Sequence, residues 1–467
     1  MNKLPRTITE LQSDLIKKEY SAVELVDSYL ARIKATDEKL NAFITVTDDF
    51  AYKQAKEVER IIENEKDPLK SYPLLGVVFS AKDLYLTKGV RTTAGSKALE
   101  NYVPAYSSTV IKRMEEAGAI MIGKANCDAW GHGASGENSD FGSTKNPWDL
   151  ARVPGGSSSG SAVSVAAEMS LVSLGTDTGG SIRLPANFCN VVGLKPTYGV
   201  IPRYGVTAMA SSLDTMGNLA NTVEDSEKVF NVMRGKDNFD STLSDKSVKF
   251  NNKKIVIGLP KEYFSDGISP EVASTIDEVK RVYKNLNYEF KEISLPTTKY
   301  SVAVYYIIMP AETSSNLARY DGVRYGSNRQ NMGDEARRRI MLGSYVLSAG
   351  YYDAYYLKAA RVRTKISNDF ENAFKEVDLI MTPVNPDVAF KLGENTNDPL
   401  KMYLADVFTT GASLAGLPAI SIPAGFSKDN LPIGFQLIAP KFSESIIFKA
   451  GQDFQNHTDT HLKSPNI

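Results

Sequence analysis

"RVPGGSSSGSAVSVAAEMSLVSLGTDTGGSIRLP", residues 152–185, decides how this chain is read. From Gly155 to Ser161 no side chain is larger than a hydroxymethyl group, and a largely apolar run follows at once. A linker would be flanked by polar, charged sequence, whereas "AVSVAAEMSLVSLG" is apolar enough to be buried. A phosphate loop would end in Gly-Lys-Ser/Thr or follow a strand with GxGxxG, and neither pattern is here. The third reading is the wall of a site, formed by chain that folds back on itself. A helix over 161–169 runs outward about 13 Å and a strand over 171–175 returns about 16 Å, from standard rises per residue. Ser181 therefore comes back beside Ser157. Gly179 and Gly180, just ahead of it, permit a tight turn whose N–H groups converge on one point, as an oxyanion hole requires.

Outward from this stretch the chain alternates short apolar runs with helical segments. "LLGVVFSAKD" and "GAIMIGKAN" flank a helical stretch over 108–117, and "LVSLGTD", "KIVIGLP", "VDLIMTP" and "AISIP" continue the pattern. Strand, helix, strand is the α/β signature. Thr7–Glu10 and Ser21–Glu24 both fit a capping box before apolar residues at helical spacing, so residues 1–70 are predicted to be packing helices. No repeat and no Pro/Gly-rich linker divides the chain, and the motif residues lie in both halves, so 1–467 is read as a single domain.

Composition limits the function classes. Of 467 residues, 42% are hydrophobic and 23% charged, the balance of a folded protein with a large core. Lys+Arg total 54 against Asp+Glu 55, so no net field draws the chain toward nucleic acid or an anionic membrane. No apolar run reaches the length of a membrane span, and the N-terminus lacks a signal-peptide apolar region; a cytoplasmic location is expected. Cys127 and Cys189 form no CxxC pattern, which argues against a disulfide framework or a zinc site.

A serine nucleophile needs a base, and there are only three histidines. His457 and His461 lie in a polar terminal segment read as a solvated tail. His132, in "WGHGASGEN", is the one left for a Ser-His-Asp arrangement or for a pocket wall. Lys82 ends the apolar run "GVVFSA" and would be drawn into the core, where desolvation lowers a lysine pKa toward about 7 or 8 and leaves an amine able to accept a proton. The competing arrangement is a Lys82 paired with neighbouring Asp83.

At these residues the chain resembles a known family. "GVVFSAKD", "PGGSSSGSA" and "LGTDTGGSIRLPANFCNVVGLKPTYG" resemble the amidase signature family of serine amidases, and the spacings from Lys82 to Ser157 to Ser181 agree with its Ser-Ser-Lys triad. The resemblance implies an α/β fold with a large mixed β-sheet core covered by helices on both faces. It implies Ser181 as nucleophile, Ser157 as a bridging serine in a cis peptide, Lys82 as base, and the N–H groups of Thr178, Gly179, Gly180 and Ser181 as oxyanion hole. It implies no metal and no organic cofactor. One departure is Ser159-Gly160 where the family usually has Gly-Gly; no loss of mechanism is expected.

The stretches "NCDAWGHGASGENSDFGSTKNPWD", "RYGVTAMASSLDTMG", "SSNLARYDGVRYG", "RRRIMLGSYVLSAGYYDAYY" and "DPLKMYLADVFTTGASLAGLPAISIP" resemble one branch, the glutamine-hydrolysing subunits of tRNA-dependent amidotransferases. In that branch an arginine and an aspartate hold the α-carboxylate and α-amino group of glutamine, and the positions fall on Arg339 and Asp406, with Tyr305 completing the pocket. On this resemblance 75–220 is the signature core carrying the triad and 300–440 the glutamine-pocket half. A zwitterion does need one fixed cation and one fixed anion, and arginine offers a fork matching a carboxylate. The plainer readings are Arg339 as one of three arginines on a solvated helix face and Asp406 as a cap. The branch implies L-glutamine as substrate, B and C partner subunits, ATP and magnesium on the partner, and mischarged tRNA, Glu-tRNA(Gln) or Asp-tRNA(Asn), bound mainly by that partner. The alternative is a free-standing amidase acting on a small carboxamide. Two departures from the branch stand out: the segment before Arg339 is short, and its usual "DEFAMGSS" is "DAWGHGAS", with His132 among the replacements.

Overall fold

Six of the apolar runs named above and five further segments form a single sheet. In the computed structural model, which describes residues 4–250, 254–264, 267–323, 326–396 and 398–467, its strands are β1 (Phe43–Val46), β2 (Val78–Lys82), β3 (Ile120–Ala125), β4 (Val172–Asp177), β5 (Val192–Lys195), β6 (Thr215–Ala220), β7 (Val256–Pro260), β8 (Glu289–Ile293), β9 (Leu379–Pro383), β10 (Ala419–Phe426) and β11 (Pro432–Ile438). Arg324 and Tyr325 of "RYDGVRYG" lie outside the described residues. The spatial order is β1-β3-β2-β4-β6-β5-β10-β11-β9-β7-β8. β3-β2-β4 and β9-β7-β8 pair in parallel, and the strands between them pair antiparallel, so the sheet is mixed. Every residue of β2, β3, β4, β5, β6, β9 and β11 is buried. Because successive side chains of a strand point to opposite faces, both faces of the sheet are covered there.

The helix after the Gly/Ser loop spans Ser159–Ala166 and the returning strand is β4, each shifted slightly from expectation. The excursion still cancels: the Ser158 N–H donates to the Ser181 carbonyl at 3.1 Å. Helix Ser159–Ala166 is buried on every side, with Ser161 Oγ donating to Leu174 O at 3.0 Å and Ser164 Oγ 2.9 Å from Ser80 Oγ. Small hydroxyls let it lie close on the sheet while keeping its polar atoms satisfied.

Three sequence expectations need correction. The first seventy residues are not all helical, because β1 pairs antiparallel with β3 between helices Ala22–Leu40 and Asp48–Asn64; four residues are too few to show against strong helical periodicity. Ser21 and Glu24 form a complete capping box, but Glu10 takes the N–H of Arg6 and not that of Thr7, so the first helix has half a box. The terminal segment is solvated only in part: His457 is exposed as expected, but His461 is 8% exposed and Asn190 Nδ2 donates to Thr460 O at 2.9 Å.

Candidate active site

Lys82 is the last residue of β2, and the pairing of Ala81 with Leu174 sets it beside Thr176 of β4. Its ammonium group is fully buried, with Ser157 Oγ at 2.8 Å, Thr176 Oγ1 at 2.9 Å and Ser158 Oγ at 3.0 Å. Burial pushes its pKa down to about 8, against the opposing pull of Cys127, Asp128, Asp177 and Asp214. Ser158 Oγ donates to Thr176 O at 3.1 Å, so its proton is committed and it can only accept from Lys82. A neutral amine has two N–H groups and one lone pair. With Ser158 and Thr176 as acceptors, the lone pair meets the hydroxyl of Ser157. The competing pairing with Asp83 does not form. Asp83 turns away and takes the buried Lys124 Nζ at 3.0 Å and the Thr93 N–H at 2.7 Å.

The Gly156–Ser157 peptide is cis. Asp128, which sequence reasoning missed, supports it. A Cβ on Gly156 would lie 2.1 Å from Asp128 Oδ2, and the Asp128 N–H donates to Ser157 O at 3.3 Å. Its carboxylate also accepts the N–H groups of Asn138 at 2.8 Å and Gly136 at 3.1 Å, and burial raises its pKa to about 7. The Ser159 departure is accommodated next door: a Cβ on Gly136 would come within 2.7 Å of the Ser159 Cβ, so that glycine makes the room. Gly160 has no such latitude, since its Cβ would meet Ala42 O at 2.3 Å.

Ser181 stands between β4 and helix Arg183–Cys189. The turn is pinned by a bidentate pair that the sequence did not announce: Arg183 Nη2 to Asp177 Oδ1 at 2.9 Å and Nε to Oδ2 at 3.0 Å, both side chains fully buried. Arg183 further donates to Thr409 O, Gln436 Oε1 and Ser413 Oγ, tying the turn to the C-terminal half. Thr178 Oγ1 donates to Asp214 Oδ1 at 2.8 Å. Among the described residues, the N–H groups of Gly179, Gly180 and Ser181 meet no protein acceptor. Both glycines admit close neighbours. A Cβ on Gly179 would lie 2.6 Å from Tyr305 Cζ, and one on Gly180 would lie 2.4 Å from Thr409 Oγ1 and 3.0 Å from Asp406 Oδ1. Tyr305 and Asp406 therefore touch the turn that carries Ser181.

Arg339 projects inward from helix Asp334–Val346, while Arg337 and Arg338 are exposed; at 4% exposure it is not on a solvated face. Its guanidinium sits 4.6 Å from the Tyr306 ring centroid and 4.7 Å from that of Tyr403, and Glu335 Oε1 takes its Nε at 2.6 Å. Nη1 has no partner among the described residues. The Asp406 carboxylate does not cap a helix: Oδ2 accepts the Tyr306 hydroxyl at 3.0 Å, and burial raises its pKa to about 7. Tyr306, not Tyr305, makes that bond. Tyr305 packs its ring on Gly179 and edge-on against Tyr306 at 4.9 Å. The adjacent pair was visible in sequence, but which ring bonds Asp406 depends on helix phase.

Hydroxyls, a buried amine and unpaired main-chain donors meet at one turn, and the chain that carries them belongs to a known class. Residues 24–448 match the Amidase family model, and the chain belongs to that family. It is similar to the A subunit of glutamyl-tRNA(Gln) amidotransferase from Carboxydothermus hydrogenoformans, 51% identical with 98% of each chain covered. It is 47% identical to the protein of that name from Coxiella burnetii, with 99% of each covered. The crystal structure of the corresponding A subunit from Thermotoga maritima superposes with a TM-score of 0.82 at 40% identity, covering 97% of this chain and 94% of that one.

Proposed function

We propose that this chain is the glutamine amidohydrolase subunit of a tRNA-dependent amidotransferase, with Ser181 as nucleophile, Ser157 as proton bridge and Lys82 as base. The observation that supports the substrate is a buried carboxyl group, Asp406, against the turn that bears Ser181, and a buried cation, Arg339, over the ring of Tyr306, whose hydroxyl Asp406 accepts. They would take the α-carboxylate and α-ammonium of L-glutamine and present its side-chain amide to Ser181. Tyr305 and Tyr306 set the walls.

Ser181 Oγ attacks the amide carbon while its proton passes to Ser157 Oγ and the Ser157 proton to the lone pair of neutral Lys82. The oxygen that gains charge lies against the N–H groups of the 178–181 turn, which are held ready by the Asp177–Arg183 pair. Collapse of the tetrahedral species breaks the C–N bond, and the proton returns from Lys82 through Ser157 to the departing nitrogen, releasing ammonia. Water then attacks the acyl-enzyme by the same relay and glutamate leaves. The ammonia would pass to a B subunit that activates the tRNA-borne carboxylate with ATP and magnesium, with a small C subunit stabilising the pair. The residues described above serve the hydrolytic half alone. The chain's near-equal charges suit a subunit that leaves tRNA binding to its partner, in a cytoplasmic enzyme.

The test is ammonia release from L-glutamine by the full chain co-expressed with its partner subunits. Release that depends on Ser181 and on Arg339 supports the reading. Cleavage of small carboxamides but not glutamine, insensitive to Arg339→Ala, supports a free-standing amidase instead.

A further inference from the structure

The turn that carries Ser181 is held at more than its two ends. Asp177 and Arg183 pin it on either side, and of the three residues ahead of Ser181 only Thr178 has a side chain. Strand register brings a partner to it. β4 pairs antiparallel with β6, Asp177 opposite Thr215, so one step further along Thr178 faces Asp214. The two meet: Thr178 Oγ1 donates to Asp214 Oδ1 at 2.8 Å, and both residues are buried. Since Gly179 and Gly180 offer no side chain, that hydroxyl is the tether for the stretch that supplies the oxyanion N–H groups.

Asp214 is itself fixed. Its Oδ2 accepts the Met209 N–H at 2.8 Å, the Ala210 N–H lies 3.1 Å from both oxygens, and the Asp214 N–H donates to Ala210 O at 2.8 Å. The loop closed in this way is fastened to helix Ser301–Asn316, which bears Tyr305 and Tyr306. Asn316 Nδ2 donates to Met209 O at 3.0 Å, and Glu312 takes the Ser212 N–H at 2.8 Å and the Ser212 hydroxyl at 2.6 Å. The Thr313 hydroxyl also reaches Met209 O, at 3.3 Å. His132 belongs to this packing and not to a Ser-His-Asp arrangement: its Nε2 donates to Thr313 Oγ1 at 3.3 Å, and its Nδ1 meets no partner among the described residues. Burial raises the Asp214 pKa to about 6, against the hydrogen bonds from Ala210, Thr178 and Met209, so near neutral pH it is a carboxylate that only accepts. An oxyanion site is effective because its donors need not move when charge appears. Two adjacent glycines have the most backbone freedom to lose, so a tether beside them removes motion that the donors would otherwise have.

We infer that Asp214 is a positioning residue of the reaction, holding the oxyanion N–H groups in place through the Thr178 hydroxyl. The inference rests on Ser181 as the nucleophile and holds whichever amide the pocket takes. Asp214 acts through another side chain and not on the substrate. It also joins the two parts of the site, because the loop it closes is bonded to the helix of Tyr305 and Tyr306.

The experiment takes two rates from the full chain with its partner subunits: steady-state ammonia release from L-glutamine, and labelling of Ser181 by a small fluorophosphonate. The phosphoryl oxygen of that probe gains charge in the same turn as the amide oxygen. Wild type is compared with Thr178→Val, Thr178→Ser and Asp214→Asn. Thr178→Val keeps the side-chain shape and leaves Asp214 its two main-chain donors, so the fold is retained. It is expected to lower kcat and the labelling rate alike by roughly 10- to 100-fold, somewhat less than loss of a whole oxyanion donor. The glutamine KM and the acid limb of kcat/KM set by Lys82 stay where they are. Thr178→Ser, which keeps the hydroxyl, recovers most of both rates, and Asp214→Asn falls at least as far as Thr178→Val. Wild-type rates in Thr178→Val or in Asp214→Asn, equal losses in Thr178→Ser and Thr178→Val, a loss confined to KM, or a displaced acid limb overturns the inference. If Asp214→Asn does not fold, the two Thr178 variants decide alone. Wild type that labels but releases no ammonia from glutamine overturns the glutaminase reading, and the labelling rates still decide this inference. Wild type that neither labels nor releases ammonia overturns both.

Discussion

The two halves of this site are built from different materials. The reacting half, Lys82, Ser157 and the 178–181 turn, consists of short side chains and main chain at the ends of two buried strands and in the loop before a buried helix, with one long side chain locked by three hydroxyls. The recognising half, Arg339, Asp406 and the tyrosines, consists mostly of long side chains on helices that reach across and stack. Short groups on strand ends have few rotamers to lose, so they hold a proton relay in register. Long side chains on helices can be exchanged one at a time, which changes the substrate while sparing the chemistry. The separation predicts that substitutions in the first half destroy turnover and that those in the second shift KM.

The largest effect is expected from Ser181→Ala, a loss of at least ~10⁴-fold in kcat with glutamine binding retained, measured by single-turnover ammonia release and equilibrium binding. Lys82→Met should approach it. In wild type, because Lys82 must be neutral to take the proton and its pKa is about 8, kcat/KM should climb as pH rises and level off above about 8. An acid limb independent of Lys82 would remove it as the base. Gly180→Ala tests the border between the halves: its Cβ at 2.4 Å from Thr409 Oγ1 must displace that hydroxyl and Asp406 together, costing about 10²-fold in kcat/KM through both terms. Arg339→Ala should raise the glutamine KM by about 10²-fold while Ser181 labelling proceeds at the wild-type rate. Asp177→Asn bears on the scaffold. Removing one member of a fully buried ion pair costs about 3–5 kcal/mol, and it should appear as a lower midpoint in urea unfolding.

The reacting half was the more legible in sequence, for the same physical reason that separates the halves. Small residues crowded into "PGGSSSGS" and "TDTGGS" have no purpose in a solvated loop, and the helix-and-strand excursion between them has a length that can be reckoned. Lys82 could be placed because it ends an apolar run. What escaped notice were partnerships between distant segments: Arg183 with Thr409 and Gln436, Asp128 beneath Gly156, and Tyr306 with Asp406. None has a local signature, since each arises only when the sheet brings its ends together. Strands β5 and β6 were missed because "VGLK" and "TMGNLA" are short and glycine-interrupted, and β8 because "EFKEI" is a half-exposed edge whose charges mask its alternation.

The most direct test is the rate of ammonia release from L-glutamine by the full chain with its partner subunits, set beside Ser181→Ala and Arg339→Ala. Wild type is predicted to release ammonia, Ser181→Ala none above background, and Arg339→Ala only at much higher glutamine concentration. Release that survives Ser181→Ala would contradict the assignment of the nucleophile, and with it the relay built on Ser157 and Lys82.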